Sequence, residues 1–200
     1  MGFIKYLLLA VFLLAGCTSV FEQDYSKKSL EELLPLAEQS DAEAQYRLGE
    51  MYRSGEDPQY NEFDEEYYSG EGVRRDDQSA VKWFRKAAEQ GHAEAQVRLG
   101  GMYYYSGGVP RDYQEALKWF RKAAEQGLAQ AQFSSGSMYY KGEGVPNDYV
   151  LAIKWYNLSA AQGDKGAAEA RDKLAKKMNT SQIQEAQRRA REFKPKKENP

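Results

Sequence analysis

The stretch Asp76-Asp-Gln-Ser-Ala-Val-Lys-Trp83-Phe-Arg-Lys-Ala-Ala-Glu-Gln-Gly91 returns as Asp112-Tyr-Gln-Glu-Ala-Leu-Lys-Trp119-Phe-Arg-Lys-Ala-Ala-Glu-Gln-Gly127. It comes a third time, more loosely, from Asp148 through Trp155 to Ala160-Ala-Gln-Gly163. Trp83, Trp119 and Trp155 are therefore separated by 36 residues and by 36 again. A second segment alternates with the first: Ala42-Glu-Ala-Gln-Tyr-Arg-Leu-Gly-Glu-Met-Tyr52 recurs over Ala93 to Tyr103 and Ala129 to Tyr139. Self-similarity at a fixed period of this length marks a solenoid of stacked helix pairs.

Each half-unit reads as a helix. In the segment from Ala42, the residues Ala42, Gln45, Leu48, Gly49 and Tyr52 fall on one stripe at helical period. In the tryptophan segment, Asp76, Asp112 and Asp148 stand where an N-cap belongs, and Gly91, Gly127 and Gly163 where a helix stops. Glu115, three residues after Asp112, predicts a capping box. Glycine-rich turns join the halves: Gly70-Glu-Gly72-Val73, Gly107-Gly108-Val109 and Gly142-Glu-Gly144-Val145. Ser135 stands where the other copies have Leu48 and Leu99, so less apolar bulk is expected there.

Ala-x-Ala-Gln-x-x-Leu-Gly-x-Met-Tyr, a Gly-x-Gly-Val turn, Asp-x-x-x-Ala-x-x-Trp and Ala-Ala-x-Gln-Gly together resemble the Sel-one-like repeat (SLR), a relative of the tetratricopeptide repeat. The resemblance covers Asp41 to Gly163. It implies an all-α fold: a right-handed α-α superhelical solenoid of SLR/TPR-like helix pairs with capping helices. The expected organisation is a capping helix over 29–40, then repeats over 41–91, 92–127 and 128–163. A closing helix pair over 164–193, with Thr180 or Ser181 as a cap, and a disordered charged tail over 194–200 complete it.

Repeat one departs from the period. Met51 and Met102 lie 51 residues apart, and the surplus falls at about 56–70. That insertion holds Glu56, Asp57, Glu62, Asp64, Glu65 and Glu66, no base, and the aromatics Tyr60, Phe63, Tyr67 and Tyr68. Its carboxylates lack the spacing and glycine of an EF-hand loop. It is read as a selectivity loop beside the binding face.

The amino terminus carries a different signal. Met1 to Lys5 has one positive charge, and Tyr6 to Ala15 is unbroken apolar sequence. A bilayer needs about 20 apolar residues, so the run fits a signal-peptide core and not a span. It ends in Leu14-Ala15-Gly16-Cys17, which resembles the lipobox of bacterial lipoproteins. The resemblance implies cleavage after 1–16, diacylglycerol on the Cys17 sulfur and an acyl chain on its new amino group. Residues 17–28 then act as a linker. Thr18, in place of an aspartate, matches lipoproteins sent to the outer membrane, so the implied location is an outer-membrane anchor facing the periplasm. Several acyl chains anchor stably because each buried methylene contributes about 0.8 kcal/mol.

Composition narrows the function. Cys17 is the only cysteine, which excludes an internal disulfide and a cysteine zinc site. Residues 17–170 hold 26 acids against 17 bases, whereas 171–200 hold 10 bases against 4 acids. An acidic body with a basic tail is not a nucleic-acid footprint. The one histidine, His92, is read as a solvated turn position, and no nucleophile, carboxylate-pair, metal or phosphate-loop motif is present. The tryptophans, at a fixed helix position among alanines, read as core. No small-molecule cofactor is expected.

What remains is a binding surface. With Ala42, Gln45, Leu48 and Tyr52 turned inward, the opposite stripe holds Tyr46, Arg47 and Glu50. Its equivalents are Val97, Arg98 and Tyr104, then Phe133, Ser134 and Tyr140. In tetratricopeptide-like arrays the first helices line the groove, so the resemblance places these residues in it. Apolar side chains beside arginines suit a hot spot for a protein or peptide. The expected function is a non-enzymatic, lipid-anchored interaction module of the cell envelope. The alternative is a binder of cell-wall peptidoglycan or a companion of an envelope enzyme.

Overall fold

The computed structural model describes residues 24–56 and 73–196. Among them a short 3-10 turn, Tyr25–Lys27, precedes nine α-helices. These are α1 (Leu30–Glu38), α2 (Ala42–Ser54), α3 (Asp77–Glu89), α4 (Ala93–Tyr105) and α5 (Tyr113–Glu125), followed by α6 (Ala129–Lys141), α7 (Tyr149–Ala161), α8 (Lys165–Ala175) and α9 (Thr180–Arg191). Consecutive helices pack on one another from α1 through α8, and α9 folds back onto α7. The described chain is all-helical, and no helix in it is long and apolar enough to cross a membrane.

The ends of the helices follow from their sequence. Asp76, Asp112 and Asp148 cap α3, α5 and α7 by accepting backbone N–H bonds in the first turn. The expected capping box at Asp112 does not form. Glu115 instead bonds Lys118 at 2.8 Å, because the Asp112 N–H already donates to the Tyr103 carbonyl at 3.0 Å. The same tie joins Asp76 to Tyr52 and Asp148 to Tyr139, so each second helix starts pinned to the end of the first. Helix α9 is capped by Asn179, one residue before the expected Thr180, with Gln182 returning the bond. Gly108 and Gly144 lie at φ 75 and 76, and a Cβ there would sit 2.4 and 2.5 Å from the Asp77 and Tyr113 carbonyls. The turn therefore needs glycine twice over, for its left-handed backbone and for its approach to the previous repeat.

The core runs as successive apolar clusters along the solenoid. Trp83, Trp119 and Trp155 are all buried, as read from the sequence. Burial of such a side chain contributes on the order of 2–3 kcal/mol. Gly49, Gly100 and Gly136 let the paired helix approach: a Cβ at each would meet the ring of Phe84, Phe120 or Tyr156 at 2.5, 2.9 and 2.8 Å. Ser135 is fully buried and its hydroxyl finds no partner, so this layer carries a polar atom where its sisters carry leucine.

A polar ladder threads the core. Gln45, Gln96 and Gln132 are buried, and each donates to a carbonyl of the preceding helix, at Ala37, Ala88 and Ala124. Each accepts in turn from a glutamine of the next turn: Gln90, Gln126 and Gln162, at 2.8, 3.0 and 2.9 Å. Every amide thus satisfies a buried carbonyl and is itself satisfied, which fixes one repeat against the next. At the far end Phe193 meets Trp155 edge-on at 5.7 Å and closes the last apolar layer. Beyond it, Lys196 bonds Glu125 through both its N–H (2.8 Å) and its ammonium (2.7 Å). Residues 197–200 lie outside the described residues.

Candidate functional site

Helices α2, α4 and α6 carry the stripe singled out in the sequence. Between α4 and α6 it opens into a cavity of about 480 Å³. Val97, Arg98 and Tyr104 of α4 and Phe133 and Ser134 of α6 all line it. The opening is made by small residues: where α2 has Glu50, α4 has Gly101 and α6 has Ser137. A Cβ at Gly101 would meet nothing within 4 Å. Phe120 and Met138 reach in from the core, so the floor is apolar.

The charged members of the stripe are already paired. Arg98 binds Glu50 at 2.6 Å, and Arg53 binds the same carboxylate at 2.8 Å. Partial burial opposes the charge on Arg98, but Glu50 and the Tyr46 phenol outweigh it and raise its pKa. Arg47 lies off the cavity and is held by Glu43 at 2.7 Å, with its guanidinium over the Tyr46 ring. Tyr46 in turn stacks on His92 with ring centroids 4.7 Å apart. Tyr46, Arg47 and Glu50 therefore form an ordered wall beside the cavity. Tyr140 lies on the other side of α6, where Lys177 donates to its phenol at 3.1 Å.

His92 is not the solvated turn residue expected from the sequence. Its side chain is 12% exposed, it caps α4 by accepting the Ala95 N–H at Nδ1, and its Nε2 lies 2.8 Å from Glu43. The contact spans 49 residues, and the insertion hides it from any repeat-based alignment. The bond from His92, assisted by Arg47 and opposed by burial, holds the Glu43 carboxyl below its ordinary range.

Several lining residues escaped the sequence reading. Tyr105 is 76% exposed and packs edge-on against Tyr104; it follows the stripe one position on, so the helical period could have included it. Arg75 and Asp77 line the cavity from the start of α3, which no single-helix stripe can reveal. Of the insertion, Glu56 is described and exposed, at the end of α2. Asp57, Tyr60, Phe63, Asp64, Glu65, Glu66 and Tyr67 lie outside the described residues, as does Cys17. Among the described residues no cluster of histidine, cysteine and carboxylate side chains could hold a metal.

The Sel1 repeat family matches residues 42–62, 65–92, 93–128 and 129–164. The first unit is matched in two pieces that part inside the acidic stretch. The fold resembles the crystal structure of c5321, described as a protective antigen of uropathogenic Escherichia coli strains displaying an SLR fold. That match has 33% identity and a TM-score of 0.60, and covers 82% of this chain and 40% of that one. A Sel1 repeat protein from Oxalobacter formigenes matches with 35% identity and a TM-score of 0.58, over 72% of this chain and 97% of that one. No curated protein matches. Sel1 repeat proteins generally mediate protein–protein interaction, typically as non-catalytic scaffolds. By the 36-residue period, the buried tryptophan layers and these matches, the chain belongs to the Sel1 repeat family.

Proposed function

We propose that this chain is a non-enzymatic interaction module, anchored by lipid at Cys17 to the outer membrane and facing the periplasm. It binds a protein or peptide partner in the groove of its first helices, with the acidic stretch 56–70 contributing selectivity. The observation that carries the reading is the cavity between α4 and α6: an apolar floor at Val97, Phe120 and Phe133, a rim of Arg98 and Tyr104, and open space over Gly101. Aromatic and arginine side chains around a pocket that can be desolvated are the composition of a binding hot spot.

Two experiments test it. Cross-linking capture from envelopes should yield a partner with the wild type and lose it with Gly101→Phe, which fills the cavity without touching the framework, while helical circular dichroism stays unchanged. Retained capture would remove the groove from the account. Cys17→Ala should move the chain from the membrane to the soluble fraction, and continued membrane association would count against the anchor.

A further inference from the structure

A second cavity, of about 560 Å³, opens on the other side of α6, between that helix and α8. Tyr140, Tyr156 and Leu174 give it an apolar floor, and Lys173, Lys176 and Lys177 stand around it with Glu169 as the one carboxylate. The charges here are arranged unlike those at the other end of the groove. There Arg47 is bound to Glu43, and Arg53 and Arg98 share Glu50. Among the described residues, Lys173 and Lys176 make no ion pair, although Lys176 acts at longer range on Asp172, and Lys177 donates to the Tyr140 phenol and lies over its ring. Three ammonium groups against one carboxylate leave the rim net positive and suited to an anion. The first cavity is also lined by bases, Arg53, Arg75, Arg98 and Lys141, but each of those contacts a carboxylate, Glu50, Asp77 or Glu143, so the lysine rim differs in lacking ion pairs.

We infer that the occupant of the groove is an acidic peptide. Its apolar side chain sits in the α4–α6 cavity, and its carboxylates lie on the lysine rim at α8. This rests on the groove reading proposed above and gives the bound segment a direction. The two cavities lie on opposite sides of α6, and a helix with its side chains is about 10 Å across, so an extended segment crosses it in about three residues. The arginines of α2 and α4 are each already held by Glu43 or Glu50, whereas Lys173 and Lys176 at α8 have no ion pair to give up. A bilayer is disfavoured as the anionic surface, because the lysines line a cavity between helices and not a flat face.

Full-length chain in detergent, presented with a random peptide library, tests the inference alongside Gly101→Phe and the triple variant Lys173→Glu, Lys176→Glu, Lys177→Glu. The wild type should select peptides with acidic residues about three positions from an apolar one. The triple variant should bind those peptides at least about tenfold more weakly, and added salt should weaken the wild type in the same direction. The corresponding triple glutamine variant, which adds no new charge, should show an intermediate loss. Selected peptides without acidic bias, or indifferent to the lysine variants yet lost with Gly101→Phe, would overturn this inference and leave the groove reading standing. A library from which the wild type selects nothing would overturn both. Lysine-dependent sedimentation with phosphatidylglycerol vesicles, without acidic selection, would give the rim to a lipid instead.

Discussion

His92 caps α4 through Nδ1, and that fixes its other nitrogen. Since Nδ1 accepts from the Ala95 N–H, the ring hydrogen is on Nε2 and is donated to Glu43. Glu43 is thereby held ionised below its ordinary value of 4.5. A carboxyl with a lowered folded pKa adds stability that is complete above the unfolded value and disappears as the pH falls through the folded one. Glu43→Gln should therefore flatten the fall of Tm on acidification below about pH 5, relative to wild type. An acid limb unchanged by the substitution, followed by thermal unfolding across pH, would show that the pair carries no linkage. In the sequence Glu43 merely shares a helical face with Tyr46, Arg47 and Glu50. Its pairing with His92 needed the two first helices to be placed side by side.

Adjacent glycines on α4 separate what an element needs for packing from what it leaves open. Gly100 faces Phe120, and a Cβ there would lie 2.9 Å from the ring and 3.2 Å from the Ala116 carbonyl. Gly101 faces the cavity with nothing in reach. Gly100→Ala should destabilise by about 1–3 kcal/mol through overpacking. Gly101→Ala should stabilise by roughly 0.5–1 kcal/mol, since glycine inside a helix costs backbone entropy and gains no contact. Chemical denaturation of the two variants checks both signs; equal effects would contradict the packing described. Half of this was legible in advance. Gly49, Gly100 and Gly136 recur at one repeat position, which marks a shared structural demand, whereas Gly101 aligns with Glu50 and Ser137 and so belongs to no common requirement. The capping box expected at Asp112 failed for a related reason: a local motif predicted it, and a carbonyl from the previous helix had already taken the donor.

At the scale of the whole molecule each layer touches only its neighbours, so stability is passed along the stack. Helix α9 and Phe193 cover Trp155, and Lys196 ties the end of the chain back to Glu125 on α5. Truncation after Met178 should expose the Trp155 layer. Amide hydrogen exchange should then accelerate in α7 and α8 while α2 and α3 stay protected. Uniform acceleration along the chain would mean that the solenoid opens as a single unit instead. The basic composition of residues 171–200 reads in sequence as a basic end to an acidic body, spread over the closing helix pair and the charged tail. Folded, part of it becomes the lysine rim of the second cavity, because α8 stacks against α7 and brings those side chains beside Tyr140.

The sequence by itself determined the helical solenoid, its period, the aspartate caps, the buried tryptophans and the first-helix stripe from which Val97, Arg98, Tyr104, Phe133 and Ser134 line the first cavity. These follow from local backbone chemistry and from a pattern repeated often enough to identify itself. The tertiary structure decided which charges are already neutralised, which nitrogen of His92 caps a helix, where small residues open a cavity, and that lysines gather at the last turn. Those features depend on side chains from different repeats meeting at a few ångströms. Some of these contacts are local, but those of Glu50 with Arg98 and Glu43 with His92 join residues 48 and 49 apart in sequence, and only stacking specifies that distance.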